Sequence, residues 1–120
     1  MRGLGELEAA VMDVLWHAGE PLRVRQVLER LDTGKSLAYT TVMTVMDNLH
    51  RKNWLTRELD GKAYLYEATV SRAEAAANAV REILSASGDP QAALLHFART
   101  ASEEESDLLR KALRRKGSRK

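Results

Sequence analysis

A mainly α-helical fold with one small β-hairpin is what this 120-residue sequence predicts. Three observations carry that expectation. Apolar residues recur at helical spacing in a series of separate stretches. Asp60-Gly61, the strongest short-range hairpin signal, sits between two strand-like runs. Capping sequences then open further helices at Ser71-Arg72-Ala73-Glu74, Asp89-Pro90 and Ser102-Glu103-Glu104-Glu105. Three helices, a hairpin and more helices, in that order, read as a winged helix-turn-helix over residues 1–69. A second helical domain follows over residues 70–120 and ends in a basic tail.

The bulk numbers bound the function classes. With 44% hydrophobic and 30% charged residues the chain is globular in composition. Its longest apolar run is too short to span a bilayer and no signal-peptide pattern opens it, so the expected location is the cytoplasm. There is no cysteine, which excludes a disulfide framework and a thiolate metal site. Residues 1–67 carry nine Lys/Arg against ten Asp/Glu, a net of −1, and residues 68–120 ten against seven, a net of +3. Arg110 to Lys120 holds seven cations and no acid. Such a short basic end is expected to be a solvated, frayed tail offering non-specific phosphate attraction, not a reading head.

The first helix is expected over Leu4–Trp16. Leu4, Leu7, Val11, Val14 and Leu15 form its stripe, and acids sit in the first turn where the helix dipole favours them. Ala18-Gly19-Glu20-Pro21 stops it, with glycine suited to a left-handed cap and proline unable to continue. Trp16 reads as packing, and His17 has no partner nearby in sequence. A second helix follows at about Val24–Leu31, with Val24, Val27, Leu28 and Leu31 on one face and no good N-cap residue. Asp32-Thr33-Gly34-Lys35 is turn chemistry.

The stretch from Ser36 to Lys52 is the probe for function. Val42, Val45, Met46 and Leu49 make one apolar stripe. Thr40, Thr41, Thr44, Asn48 and Arg51 occupy the other side. Short hydroxyls and an amide above a buried stripe suit a helix lying in a DNA major groove. Hydroxyls and amides reach base edges there, and threonine methyls meet thymine methyls. An ordinary amphipathic helix with a solvated polar face gives the same pattern, so the flanks decide. A tight polar turn precedes the stretch and makes a helix-turn-helix.

A hairpin follows, from Trp54-Leu55-Thr56-Arg57-Glu58-Leu59 and Ala63-Tyr64-Leu65-Tyr66-Glu67. It is the wing. Lys62 at its tip and Arg57 on its first strand are expected to reach backbone phosphate or the minor groove, and Tyr39 and Arg51 to contact phosphate or groove edges. Tyr64 and Tyr66 share a face, so at least one of them should pack on the domain.

Beyond Thr69 the sequence turns to alanine and leucine. One helix runs to about Ala86 with Ala76, Val80, Ile83 and Leu84 as its contact face. Another runs from Gln91 to Ala101 with Leu94, Leu95, Phe97 and Ala98 apolar. The last carries Leu108, Leu109, Ala112 and Leu113. Alone they bury too little apolar surface to be stable. A second copy of the chain is the natural partner, which makes residues 70–116 a dimerisation domain. Folding back on the winged helix within a monomer is the alternative.

The chemistry of an enzyme is missing. His17, His50 and His96 lie in separate helices without metal-site spacing. There is no glycine-rich phosphate loop, no Gly-x-Ser-x-Gly and no thiol nucleophile. Glu103, Glu104 and Glu105 are adjacent first-turn residues pointing different ways, not a paired acid and base. Neither a metal nor a cofactor is expected.

Several motifs fall in a recognisable order. These are Leu4-Gly5-Glu6-Leu7-Glu8 with Val11-Met12-Asp13-Val14-Leu15-Trp16, Ala38-Tyr39-Thr40-Thr41-Val42-Met43-Thr44-Val45 followed by Leu49-x-x-Lys52, and Ala63-Tyr64-Leu65-Tyr66. In that order the chain resembles the penicillinase-repressor family (BlaI/MecI/CopY type) of bacterial winged-helix transcriptional regulators, most strongly over residues 4–67. The resemblance implies a homodimeric repressor on a palindromic operator. It implies reading by the N-terminal half of the recognition helix, at Tyr39, Thr40, Thr41 and Thr44. Relatives often carry lysine where this chain has Thr40 and arginine where it has Asn48.

The β-lactam-responsive branch of that family is relieved by proteolysis through a membrane sensor-protease system, at an Asn-Phe bond. The matching positions here are His96-Phe97, with the phenylalanine kept and the asparagine not. The copper-responsive branch ends in a cysteine motif, and its metal sensing is excluded by the ligand chemistry. A rival from another class is a winged helix whose polar shelf docks a partner protein without sequence-specific DNA binding. The net charge of −1 over residues 1–67 is its best support.

Overall fold

Helix α1 (Glu6–Ala18) starts where Gly5 donates its N–H to Glu8 Oε1 at 2.9 Å. It stops at Gly19, whose φ of 68° closes a left-handed cap onto the Leu15 carbonyl. In the computed structural model, which describes residues 3–32 and 36–117, the chain continues through α2 (Val24–Arg30), α3 (Tyr39–Arg51), β1 (Leu55–Asp60), β2 (Ala63–Ala68), α4 (Arg72–Ala86), α5 (Pro90–Arg99) and α6 (Glu103–Gly117). Thr33, Gly34 and Lys35 of the expected turn lie outside the described residues. The chain divides into two compact units, Met1–Ala79 and Val80–Lys120, so the division falls within α4 and not in a linker.

The first unit is built on one apolar cluster. Val11, Met12 and Leu15 of α1 meet Val24 and Val27 of α2, Val42, Met46 and Leu49 of α3, and Leu55 and Tyr66 of the hairpin. Full burial of a side chain of this size stabilises by roughly 1.5–3 kcal/mol, so the three α3 residues fix which face of that helix is left outside. Lys52 Nζ donates to both carboxylate oxygens of Glu8, at 2.9 and 3.0 Å, and ties the end of α3 to the start of α1. Asn53, at φ 67°, then turns the chain: its N–H meets His50 O and the N–H of Trp54 meets Leu49 O. That pair of bonds is a Schellman stop with asparagine in place of glycine.

The hairpin differs from expectation by one residue. Asp60 pairs with Ala63 in an antiparallel register that runs back to Leu55 opposite Ala68. The central turn residues are therefore Gly61-Lys62, not Asp60-Gly61. Gly61 takes φ 67° and Lys62 does not share it, the pattern of a two-residue turn with glycine first. Leu22 adds an isolated bridge to Tyr66 at the hairpin's other edge.

Helix α4 leaves the hairpin with Ser71 Oγ accepting from the Glu74 N–H at 3.1 Å. Ala75, and not the expected Ala76, is its buried residue. Trp16 Nε1 donates to Val70 O at 2.9 Å, and the Arg72 guanidinium lies 5.2 Å from the Trp16 ring. In the second unit, Asp89 caps α5 by accepting from Ala92 N–H, with Pro90 behind it. Ser102 and Glu105 cap α6 reciprocally. Arg110, Lys111, Arg114 and Arg115 lie in α6 instead of a frayed tail, while Arg119 and Lys120 are outside the described residues. Among the described residues no helix is long and apolar enough to cross a membrane.

Candidate nucleic-acid interface

The buried stripe of α3 leaves Tyr39, Thr40, Thr41, Thr44, Asn48 and Arg51 exposed, as a side of short polar groups with one cation near its end. Alanine at the N-cap, Ala38, provides no side-chain cap. The Thr41 N–H donates to Ala38 O at 3.1 Å, which leaves the Tyr39 and Thr40 amides for solvent or an anion, at the positive end of the helix dipole. Tyr39 stands at this end, its ring 5.4 Å from the Arg25 guanidinium of α2.

Beside α3 the hairpin encloses a groove of about 510 Å3, which draws together Thr44, Asn48, Arg51 and Arg57. The same groove is lined by Met43, Asp47, Tyr64 and Tyr66. Thr40 and Thr41 lie further toward the start of α3, and Lys62 is exposed at the hairpin tip.

Arg57 corrects the expectation that it faces a phosphate. It shares the inner face of the hairpin with Leu55, and only 25% of its side chain is exposed. Its Nη1 donates to Asp47 Oδ1 at 2.9 Å and to the Tyr66 hydroxyl at 3.3 Å, and its guanidinium lies 4.2 Å from the Tyr64 ring. The Tyr66 hydroxyl raises its pKa against an opposing desolvation, and Asp47 adds to the rise. Strand alternation carried this signal, because period 2 puts Arg57 on the side of the apolar Leu55.

Asp47 was missed from the sequence. It sits on α3 one turn after Met43, and its second oxygen, Oδ2, is ion-paired with Arg51 Nη2 at 2.8 Å. The i,i+4 spacing to Arg51 was legible, whereas the bond to Arg57 needs the folded hairpin. Arg51 itself remains 74% exposed. Met43, 42% exposed, and Arg25 were likewise not singled out.

In the second unit Val80, Ile83, Leu94, Phe97, Leu108, Leu109 and Leu113 are exposed, and Leu84 is half-buried. His96 and Phe97 are exposed within α5, so the peptide bond between them is helical. Among the described residues no three histidine or carboxylate side chains lie close enough together to hold a metal ion.

Comparison with known proteins adds to this geometry. The chain is 45% identical over 113 residues to the transcriptional regulator BlaI of Mycobacterium tuberculosis, in two strains, covering 92% of this chain and 82% of that protein. Among solved structures, the DNA-binding domain of the repressor BlaI superposes with a TM-score of 0.51 at 20% identity, over 58% of this chain and 84% of that one. MepR, a transcription regulator of a Staphylococcus aureus multidrug efflux pump, gives 0.50 at 18% identity, over 97% and 79%. At these identities the two structures speak to the fold, which is a winged helix. The sequence pattern of the penicillinase repressor family extends from residue 4 to residue 115. With that pattern over nearly its full length, this chain belongs to the penicillinase repressor family, a family of transcriptional regulators and not of enzymes.

Proposed function

We propose that the chain is a DNA-binding transcriptional repressor that works as a homodimer on a palindromic operator. One observation carries the reading. Helix α3 buries Val42, Met46 and Leu49 completely while Thr40, Thr41, Thr44 and Asn48 face outward beside a wing. A stripe so fully buried holds the polar side of α3 in a fixed orientation, which is what major-groove reading requires. Thr40, Thr41 and Thr44 take the base edges, with Asn48 beside them. Tyr39, Arg51 and Lys62 take phosphate or groove edges, joined by the Tyr39 and Thr40 amides at the start of α3. Arg57 serves from within, as a brace for the wing.

The second copy is supported by the exposed apolar residues of α4, α5 and α6, since Leu108, Leu113 and Phe97 are each more than half exposed in one chain. Residues 70–120 are the dimerisation domain in this reading, following a DNA-binding domain at 1–69. The resemblance to the β-lactam-responsive branch of the family is the ground for control of β-lactam-response genes from the cytoplasm. It also supports a membrane sensor-protease as the partner that relieves repression by cutting at His96-Phe97. Because that bond is helical, cutting there requires local unfolding of α5.

A gel shift of the purified protein on its own upstream DNA, with random DNA as competitor, tests the reading. A preferential shift at near-physiological salt, by a species of dimer mass in sedimentation, is the expected result. No preference would instead favour the protein-docking winged helix. The net charge of −1 over residues 1–67 is what keeps that second reading alive.

A further inference from the structure

The wing has the wrong charge to be drawn onto DNA. From Leu55 to Ala68 it carries Glu58, Asp60 and Glu67 against Arg57 and Lys62. Asp60 is paired with Arg23, and Arg57 is turned inward to Asp47. Phosphate attraction would thus seat this hairpin poorly, since Glu58 and Glu67 are exposed on it and Lys62 is its one outward cation. The groups that do hold it come from the protein. Asp47 Oδ1 meets Arg57 of β1 while Oδ2 meets Arg51 of α3, at 2.9 and 2.8 Å, and the Tyr64 ring closes over the Arg57 guanidinium. One carboxylate on the reading side of α3 therefore fixes both the wing and the cation at the end of α3.

Building on the DNA-reading function above, we propose that Asp47 is a positioning residue for operator recognition. It seats the wing and Arg51 before DNA arrives, so that a negative charge on the DNA-facing side improves discrimination. Coulomb repulsion alone predicts the opposite, because removing an acid near phosphate tightens binding to any DNA. Preorganisation acts differently: groups already in place lose less freedom on binding, and only a site that engages all of them together gains from it. Operator DNA gains and random DNA does not.

The substitution Asp47→Asn separates the two accounts. We expect it to weaken operator binding by about tenfold, while random DNA is held as before or a few-fold more tightly. If both affinities rise by the same factor, Asp47 only repels and the proposal falls. Arg57→Lys keeps the charge but loses the fork and the stacked plane, and is expected to reproduce the loss of discrimination. Wild-type operator affinity in Arg57→Lys overturns the proposal even where Asp47→Asn fails to fold. In the double variant the two losses should not add, because they remove one interaction; full additivity overturns it too. A readout without DNA keeps this test apart from the function it builds on. Backbone relaxation at Gly61 and Lys62 should report a more mobile wing in Asp47→Asn than in wild type. An equally rigid wing refutes the seating role whatever the protein binds. Failure of the wild-type protein to discriminate operator from random DNA refutes instead the DNA-reading function.

Discussion

Arg57 of the wing donates to Asp47 of the recognition helix at 2.9 Å, across ten residues of sequence. The bond joins two segments that the proposed DNA reading needs in register, α3 and the hairpin beside it. It also divides the wing's two cations by role. Arg57 is spent inside the protein, while Lys62 at the tip faces outward.

Salt dependence should separate those two cations. Lys62→Ala is expected to lower the slope of log K against log salt by about 0.9, the release of one counterion, on operator and random DNA alike. Arg57→Ala should weaken operator binding while leaving that slope unchanged. Equilibrium titrations at a series of salt concentrations decide it, and a slope lowered by Arg57→Ala would return that residue to the phosphate set.

Thr44 is exposed and lines the groove between α3 and the wing. Thr44→Ala should cost roughly 1–3 kcal/mol at the cognate operator and little on random DNA. Competition binding measures both, and an equal loss on the two would argue against base readout.

Arg51 is held by Asp47 yet remains largely solvent-exposed, so one edge of its guanidinium is open to phosphate. Arg51→Ala should therefore weaken operator and random DNA together and flatten the salt dependence. A salt slope identical to wild type would remove Arg51 from the phosphate contacts.

Glu8 links pH to the stability of the first unit. Its carboxylate accepts the Gly5 N–H and the Lys52 ammonium, which together hold its pKa below the ordinary 4.5 against partial desolvation. A carboxyl with a depressed folded pKa stabilises fully above the unfolded value and loses that contribution as pH falls through the folded one. Thermal melts should accordingly lose on the order of 1 kcal/mol as pH drops from about 5 to below Glu8's folded pKa. Glu8→Gln should show less of this acid sensitivity, and a melt series as pH-sensitive as wild type would contradict the assignment.

Removing apolar contacts in the second unit should separate the copies. Phe97→Ala with Leu108→Ala deletes two side chains that are 59% and 62% exposed in one chain. If a second copy covers them, the double variant loses roughly 2–4 kcal/mol of association and sediments as a monomer at micromolar concentration. Operator affinity should fall with it, because two half-sites bound as a unit bind far more tightly than either alone. An intact dimer would move the interface off these residues.

Much of the fold is written locally. Gly19 ends α1, Asp89-Pro90 opens α5 and Ser102 to Glu105 opens α6, because a cap needs only a few neighbouring residues. The stripe Val42, Met46 and Leu49 fixed the outward side of α3 by periodicity alone. Tertiary structure decided whatever hangs on a one-residue choice or a distant partner. Packing chose Ala75 over its neighbour Ala76, and strand register chose Gly61-Lys62 over Asp60-Gly61 for the turn. Lys52, in a family-like motif, proved to be the tie to Glu8, forty-four residues away. Arg57, expected to face DNA, went to Asp47 and the two tyrosines. The physical reason is shared by all of these. Propensity and capping act over a few residues, whereas the direction of a charged side chain is set by which opposite charge the fold brings within about 3 Å.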